Sequence, residues 1–333
     1  MALEAPARLV RSIWTSTKVP GLDAPNDTAH LKVYYPAVYS GSLEERMTGI
    51  MPADSEAGPY PVVLFLSGVN IGQDSYRWLM IELAKAGYVA LTFDMIAEQT
   101  AGYYGTTPGL DLSVLKPGEF GTRPASIAIE PILATLAEQN ASGPLAGVLD
   151  LDRIVIAGHS GGGTVAMESA RAAFFPACKA TFAYSAHCVP ADVLGFPKGT
   201  VLEVAPDIAS LIMGGTADEV MRGSAVRYNE DGATRVDPVV RTYDEGVAGG
   251  RDDAWFVLWD GANHFAMGDE DPTCARGFLD TPAPTDPAAT RADMAAVITD
   301  FLDAYVKDDS VALESLEKFL AQPPTTVAEV RRK

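Results

Sequence analysis

A serine set among glycines, Gly158-His159-Ser160-Gly161-Gly162, stands between the apolar run Arg153-Ile154-Val155-Ile156-Ala157 and a helical pattern that opens at Thr164-Val165-Ala166-Met167. The chain must therefore pass from strand to helix through a turn centred on Ser160. Such a turn holds the serine backbone in a strained conformation, and side chains two residues to either side would collide where strand and helix approach, which accounts for the glycines. This strand–turn–helix is the nucleophile elbow, which presents a serine hydroxyl at the edge of a parallel sheet.

A serine hydroxyl is a weak nucleophile at neutral pH, so it needs a base, and the base needs a carboxylate to fix its tautomer and stabilise its charge. When the elbow leads, acid and then histidine follow on loops after later strands. Leu211-Ile212-Met213 runs into Gly214-Gly215-Thr216-Ala217-Asp218-Glu219, and Trp255-Phe256-Val257-Leu258-Trp259 runs into Asp260-Gly261-Ala262-Asn263-His264-Phe265. Asp218 and His264 fall in that order. The other acids near by are Glu219, adjacent to Asp218, and Asp207, Asp253 and Asp260. Of the four histidines, His30 precedes the first strand read from the sequence and His159 points away from its neighbour's hydroxyl. His187 ends the run Ala180-Thr181-Phe182-Ala183-Tyr184 ahead of the acid, which makes it a rim residue and the competitor for the base.

The oxyanion of the reaction needs two amide donors. The Gly161 N–H supplies one, and the loop Ser67-Gly68-Val69-Asn70 after the strand Pro61–Leu66 supplies the other, from Val69 or, as the alternative, Asn70. Asn70, His159 and His187 are placed around the substrate pocket.

From about Pro61 to about Leu320 the chain resembles the α/β-hydrolase superfamily, and within it the dienelactone-hydrolase-like esterases that include bacterial cutinases, polyester hydrolases and chlorophyllases. The resemblance rests on Leu66-Ser67-Gly68-Val69, on Gly158-His159-Ser160-Gly161-Gly162, on Leu211-Ile212-Met213-Gly214 leading to Asp218, and on Asp260-Gly261-Ala262-Asn263-His264-Phe265. It implies Ser160 as nucleophile, Asp218 as acid, His264 as base, the Val69 and Gly161 amides as oxyanion donors, and no cofactor or metal. Where bacterial cutinases usually carry Met after the nucleophile and an aromatic in the oxyanion loop, this chain has Gly161 and Val69, which leave room beside the serine. The expected reaction is hydrolysis of carboxylic esters of short to medium uncharged acyl groups through an acyl-enzyme. Acyl transfer with the same residues and a non-catalytic ligand-binding protein are the alternatives.

Strand patterns alternate with helical ones along the chain, which predicts an α/β fold with a mostly parallel sheet covered by helices on both faces. Leu31–Tyr35 reads as an early antiparallel strand, Gly87–Phe93 as a buried one. Helical faces are formed by Tyr76, Leu79, Met80 and Leu83, by Ile129, Ile132, Leu133 and Leu136 around Pro131, and by Met294, Val297, Ile298, Phe301 and Tyr305. A terminal helix starts at Asp308-Asp309-Ser310. One domain is expected over 1–322, with 94–123 as a cap over the substrate and 323–333 as a loose tail. The stretch Ala266–Asp286 contains Gly268-Asp269-Glu270-Asp271, which lacks calcium-loop spacing and reads as a solvated acidic turn.

With 47% hydrophobic and 21% charged residues in 333, a large core is available. A net charge of −19 works against nucleic acid and anionic membrane surfaces. No apolar run approaches the roughly 18 residues of a membrane span, and Met1–Trp14 lacks the apolar core of a secretory signal. Three cysteines do not make a disulfide framework. Cys178 and Cys188 bracket a strand of roughly 33 Å, too long for a bridge. A cytoplasmic protein acting on a small-molecule ester is the expectation.

Overall fold

The computed structural model describes residues 8–225, 237–269, 280–284 and 287–333. Its strands are β1 (Leu9–Lys18), β2 (Thr28–Ala37), β3 (Tyr60–Leu66), β4 (Val89–Asp94), β5 (Ile96–Thr100), β6 (Tyr103–Thr106), β7 (Leu149–His159), β8 (Cys178–Tyr184), β9 (Ala209–Gly215), β10 (Ala254–Trp259) and β11 (Val327–Arg332). Nine of them form one sheet in the order β1-β2-β4-β3-β7-β8-β9-β10-β11, while β5 and β6 make a separate hairpin. The six strands from β4 to β10 run parallel. Antiparallel strands extend both edges, with β2 on β4, β1 on β2, and β11 on β10.

The parallel strands are near-continuous apolar runs because both sheet faces are covered. Alternate residues feed different cores. Val62, Leu64 and Leu66 of β3 enter the core that includes Ile129, Ile132 and Leu136 of one helix and Val165 and Met167 of another, whereas Val63 and Phe65 enter the opposite core with Leu79, Leu83, Met294, Ile298 and Phe301. The helices are α1 (Leu43–Thr48), α2 (Arg77–Lys85), α3 (Ile129–Ala141), α4 (Gly161–Ser169), α5 (Glu219–Ser224), α6 (Pro238–Arg241), α7 (Pro287–Val306) and α8 (Ser310–Ala321). Pro131 falls in the first turn of α3, where its missing N–H costs no helical bond. Asp309 caps α8 by accepting the Val311 N–H at 2.8 Å. None of the helices among the described residues is long and apolar enough to cross a membrane.

Two termini differ from the sequence expectation. The stretch 323–333 is not a loose tail: Val327–Arg332 adds a strand to the sheet edge. Arg331 and Arg332 stack over Phe256 and Trp255 of the neighbouring strand, with guanidinium carbons 4.5 and 4.9 Å from the ring centroids. Those cation–π contacts and the β10 ladder supply the order that a short polar run does not advertise. At the other end, Leu9–Lys18 forms β1, and His30, read as preceding the first strand, is exposed within β2. The mostly polar β1 packs only one edge, so its apolar alternation is weak.

The segment 94–123 folds as the β5–β6 hairpin followed by a long loop. Asn70 holds the hairpin, exchanging two side-chain hydrogen bonds of 2.8 Å with Gln99. A Cβ on Gly105 would lie 1.8 Å from Asn70 Oδ1, so glycine there leaves room for the Asn70–Gln99 pair.

Candidate active site

Ser160 lies between β7 and α4 with φ 53° and ψ −128°, a left-handed conformation that non-glycine residues rarely adopt. Close packing imposes it. A Cβ on Gly158 would sit 2.6 Å from the Gly162 carbonyl, and one on Gly162 would sit 2.2 Å from the Leu66 carbonyl oxygen. The strand, the helix and the end of β3 are thus in contact through bare backbone, and the turn is sharp enough to raise the serine side chain above it.

The three residues that the sequence order singles out meet at this point. The Ser160 hydroxyl donates to His264 Nε2 at 3.0 Å, and His264 Nδ1 donates to Asp218 Oδ2 at 3.1 Å. Asp218 begins α5, and its second oxygen accepts the Met221 N–H at 2.8 Å. Burial by itself would raise the Asp218 pKa, but the adjoining His264 and the amide bond outweigh it and hold the carboxyl below its ordinary range. The competing acids are engaged elsewhere. Glu219 is half-exposed and pairs with Arg222 at 3.4 Å, Asp253 binds Arg251 at 2.8 Å, Asp207 accepts the Ala172 N–H at 3.0 Å, and Asp260 accepts from Thr216 at 3.3 Å.

The Ser67–Asn70 loop lies against the elbow. A Cβ on Gly161 would meet Val69 Cγ2 at 2.9 Å and lie 4.0 Å from the Val69 backbone nitrogen, so the missing side chain lets the two segments approach closely. Gly161 is the first residue of α4, where a helix leaves its N–H groups without intrahelical partners. Asn70 does not compete as a donor, since its N–H is bonded to the Thr106 carbonyl at 3.0 Å and its side chain to Gln99.

His159 is not at the substrate pocket. It is fully buried behind the site, its ring centroid 4.7 Å from that of His264. Its Nε2–H donates to the His264 carbonyl at 2.9 Å, which fixes the tautomer and leaves Nδ1 to accept the Tyr76 hydroxyl at 2.9 Å. Tyr76 in turn accepts the Gly68 N–H at 2.9 Å. One line of hydrogen bonds thus joins the Ser67–Asn70 loop to the backbone of His264. Burial, reinforced by the nearby His264, holds the His159 pKa well below the imidazole range, so it stays neutral and the tautomer persists.

Sequence reasoning missed two further anchors. The Tyr184 hydroxyl, at the end of β8, donates to the Asn263 carbonyl at 2.6 Å. Asp280 accepts the His264 N–H at 2.6 Å through one oxygen and the Glu219 N–H at 2.8 Å through the other, tying the His264 loop to the Asp218 loop. Asp280 lies within the acidic stretch read as a solvated turn, and no motif distinguishes it there from its neighbours. Of that stretch, Asp269 pairs with Arg291 at 3.2 Å, while Glu270 and Asp271 lie outside the described residues. Because asparagine would turn an amide donor toward one of these N–H groups, Asp280→Asn is expected to lower Tm by about 5 °C. Loosening the base loop should also reduce kcat by about ten- to a hundredfold. Calorimetry and ester kinetics on the variant check both, and an unchanged Tm would show that the loops are held by other contacts.

Beside Gly161 opens a cavity of about 180 Å³, walled by Leu110, Leu112 and Leu115 of the 94–123 segment and by Val189 and Leu194. His187 lines it, and its Nδ1 accepts the Val189 N–H at 3.2 Å. Burial lowers the His187 pKa to about 4, so at neutral pH it is uncharged. Arg123 and Arg222 do not enter it as free charges. Arg123 is paired with Asp111 and Ser113, and Arg222 with the Thr216 carbonyl and Glu219.

Comparison with known proteins agrees with this architecture. No curated protein matches the chain. Among solved structures, a ferulic acid esterase from Streptomyces cinnamoneus superposes with a TM-score of 0.59 at 15% sequence identity, over 99% of this chain and 98% of that one. At that identity the likeness speaks for the fold alone. The model of the alpha/beta hydrolase family matches residues 63–331, from the third strand to the last, and the chain belongs to that family.

Proposed function

We propose that the protein hydrolyses carboxylic esters of short to medium uncharged acyl groups through an acyl-enzyme. The observation that carries this reading is the unbroken hydrogen-bonded line from Ser160 Oγ through His264 to Asp218. In the proposed reaction the serine oxygen attacks the ester carbonyl as its proton passes to His264 Nε2, and the Asp218 carboxylate stabilises the resulting imidazolium. The Val69 and Gly161 amides receive the negative oxygen. Collapse of the tetrahedral intermediate breaks the bond to the alcohol, which leaves with the proton from His264. Water then enters, gives a proton to His264 and attacks the acyl carbon; the second collapse returns that proton to Ser160 and releases the acid.

The leucine walls of the cavity support an apolar acyl group, each buried methylene contributing about 0.8 kcal/mol. The net charge and the pairing of Arg123 and Arg222 work against anionic acyl groups. Within the family we place the chain with the dienelactone-hydrolase-like esterases, on its elbow and oxyanion-loop motifs. Cys178 and Cys188 are buried and free, which supports a reducing, cytoplasmic setting.

The test is kcat/KM for acetyl, butyryl, octanoyl and succinyl p-nitrophenyl esters. The neutral esters are expected to turn over, with succinyl at least about tenfold behind butyryl. A succinyl preference would overturn the substrate class, and turnover of none would overturn the esterase reading. Product analysis with added alcohol separates hydrolysis from acyl transfer.

A further inference from the structure

The cavity beside the elbow runs along one face of α4. Gly161, Thr164 and Glu168 all line it, and their spacing of three and then four residues sets them in a row along the helix. At about 1.5 Å per residue, Glu168 stands roughly 10 Å from Gly161. The row starts next to Ser160 and ends on a carboxyl group.

That carboxyl is out of place in its surroundings. Glu168 is 3% exposed, and its Oε2 has no hydrogen-bond partner among the described residues. Arg171 does not serve it, because its Nη atoms bind the Glu203 carboxylate and carbonyl at 3.0 and 3.1 Å and its Nε faces the Glu168 main-chain carbonyl. The other polar groups of the wall are bonded within the protein. Thr164 donates its hydroxyl to the His187 carbonyl at 2.9 Å, and His187 Nδ1 accepts from Val189. A carboxyl oxygen buried without a partner destabilises a fold. Here it faces the cavity beside Gly161, whose wall is built mainly of Leu110, Leu112, Leu115, Val189, Leu194 and Leu202.

We propose that Glu168 binds a hydroxyl group at the far end of the acyl chain, so that the preferred substrates are esters of medium-chain acids carrying a distal hydroxyl. This rests on the esterase reading given above. A hydroxyl is the matching partner because it both donates and accepts, as a protonated carboxyl does. Burial, only partly offset by the Arg171 charge, pushes the Glu168 pKa up to about 8, so the group is mainly uncharged at neutral pH. An ammonium in the same place would require the carboxyl to ionise and would bury two charges among leucines. A distal carboxylate would bring a charge that nothing in the cavity balances.

The experiment compares hexanoyl, octanoyl and decanoyl p-nitrophenyl esters with their ω-hydroxy counterparts. In the wild type at least one hydroxy ester is expected to exceed its plain partner in kcat/KM by about tenfold. The ratio should fall to about one in Glu168→Leu and remain above one in Glu168→Gln. A general packing defect would lower both members of a pair and leave the ratio unchanged. Ratios near one for all three wild-type pairs, or a ratio that survives in Glu168→Leu, would overturn the proposal, and the wild-type comparison decides it even where a variant does not fold. Turnover of the acetyl ester reports on the esterase reading separately. Should no ester be cleaved, calorimetric affinities of octanamide and 8-hydroxyoctanamide carry the same test: equal binding refutes the Glu168 contact, and tighter binding of the hydroxy amide that is lost in Glu168→Leu upholds it.

Discussion

Ser160→Ala is expected to lower ester turnover by about 10⁶-fold and to abolish covalent labelling by a fluorophosphonate. The alanine leaves the oxyanion amides in place but removes the one atom that can bond to the acyl carbon. The fold should survive. Ser160 contributes little to the core, and alanine retains the Cβ that fits the turn, so Tm should stay within about 2 °C of the wild type. Ser160→Gly is a useful companion, since it is equally inactive but relieves the strain of a φ of 53° and should raise Tm by a few degrees. Substantial turnover or labelling in the alanine variant, with circular dichroism unchanged, would mean that another residue is the nucleophile.

Asp218→Asn is expected to cost about 10⁴-fold in kcat, whereas Glu219→Gln should cost less than about tenfold. The size of the first effect follows from the two contacts of the carboxylate. Oδ1 accepts the Met221 N–H, so an asparagine placed there keeps its carbonyl oxygen on that amide and turns its NH₂ toward His264 Nδ1. The imidazole then carries its proton on Nε2, facing Ser160, and can no longer accept the serine proton. Glu219 has no such leverage, because its side chain reaches Arg222 at the surface. Rate measurements on the two variants decide the matter, and equal losses would move the acid to Glu219.

Both predictions concern residues that the sequence made legible, for a local reason. The elbow announces itself through glycines at 158, 161 and 162, each of which stands where a Cβ would strike neighbouring backbone or Val69. Asp218 and His264 were readable because each follows an apolar strand by a few residues, and the chain order of such loops reflects the order of strands in the sheet. Chemistry carried on side chains at strand ends leaves a trace in one dimension.

The supporting contacts leave no such trace. Asp280 is separated from His264 by 16 positions and His159 by 105, and both hold His264 through its backbone N–H and carbonyl, groups that every residue possesses. No residue type marks such a target, so the sequence offered His159 only as a neighbour of the nucleophile, and the structure moved it from the substrate pocket to the interior. Glu168 was silent for a related reason. In sequence it is one acid on a helix, and only the packing of the 94–123 segment and the 187–202 stretch over α4 encloses it in an apolar cavity. The ends of the chain show the same division. The helical periodicity of Met294, Val297, Ile298 and Phe301 was enough to place α7, because an amphipathic face is a local pattern. Strand β11 has little apolar alternation, and it is ordered by cation–π contacts to Trp255 and Phe256 that exist only once β10 is in place. By itself the sequence determined the mostly parallel sheet covered by helices, the elbow and the three residues that meet there. Tertiary packing alone decided which polar groups pin His264 and what stands at the far end of the cavity beside Gly161, since burial and the pairing of backbone groups arise between segments distant in the chain.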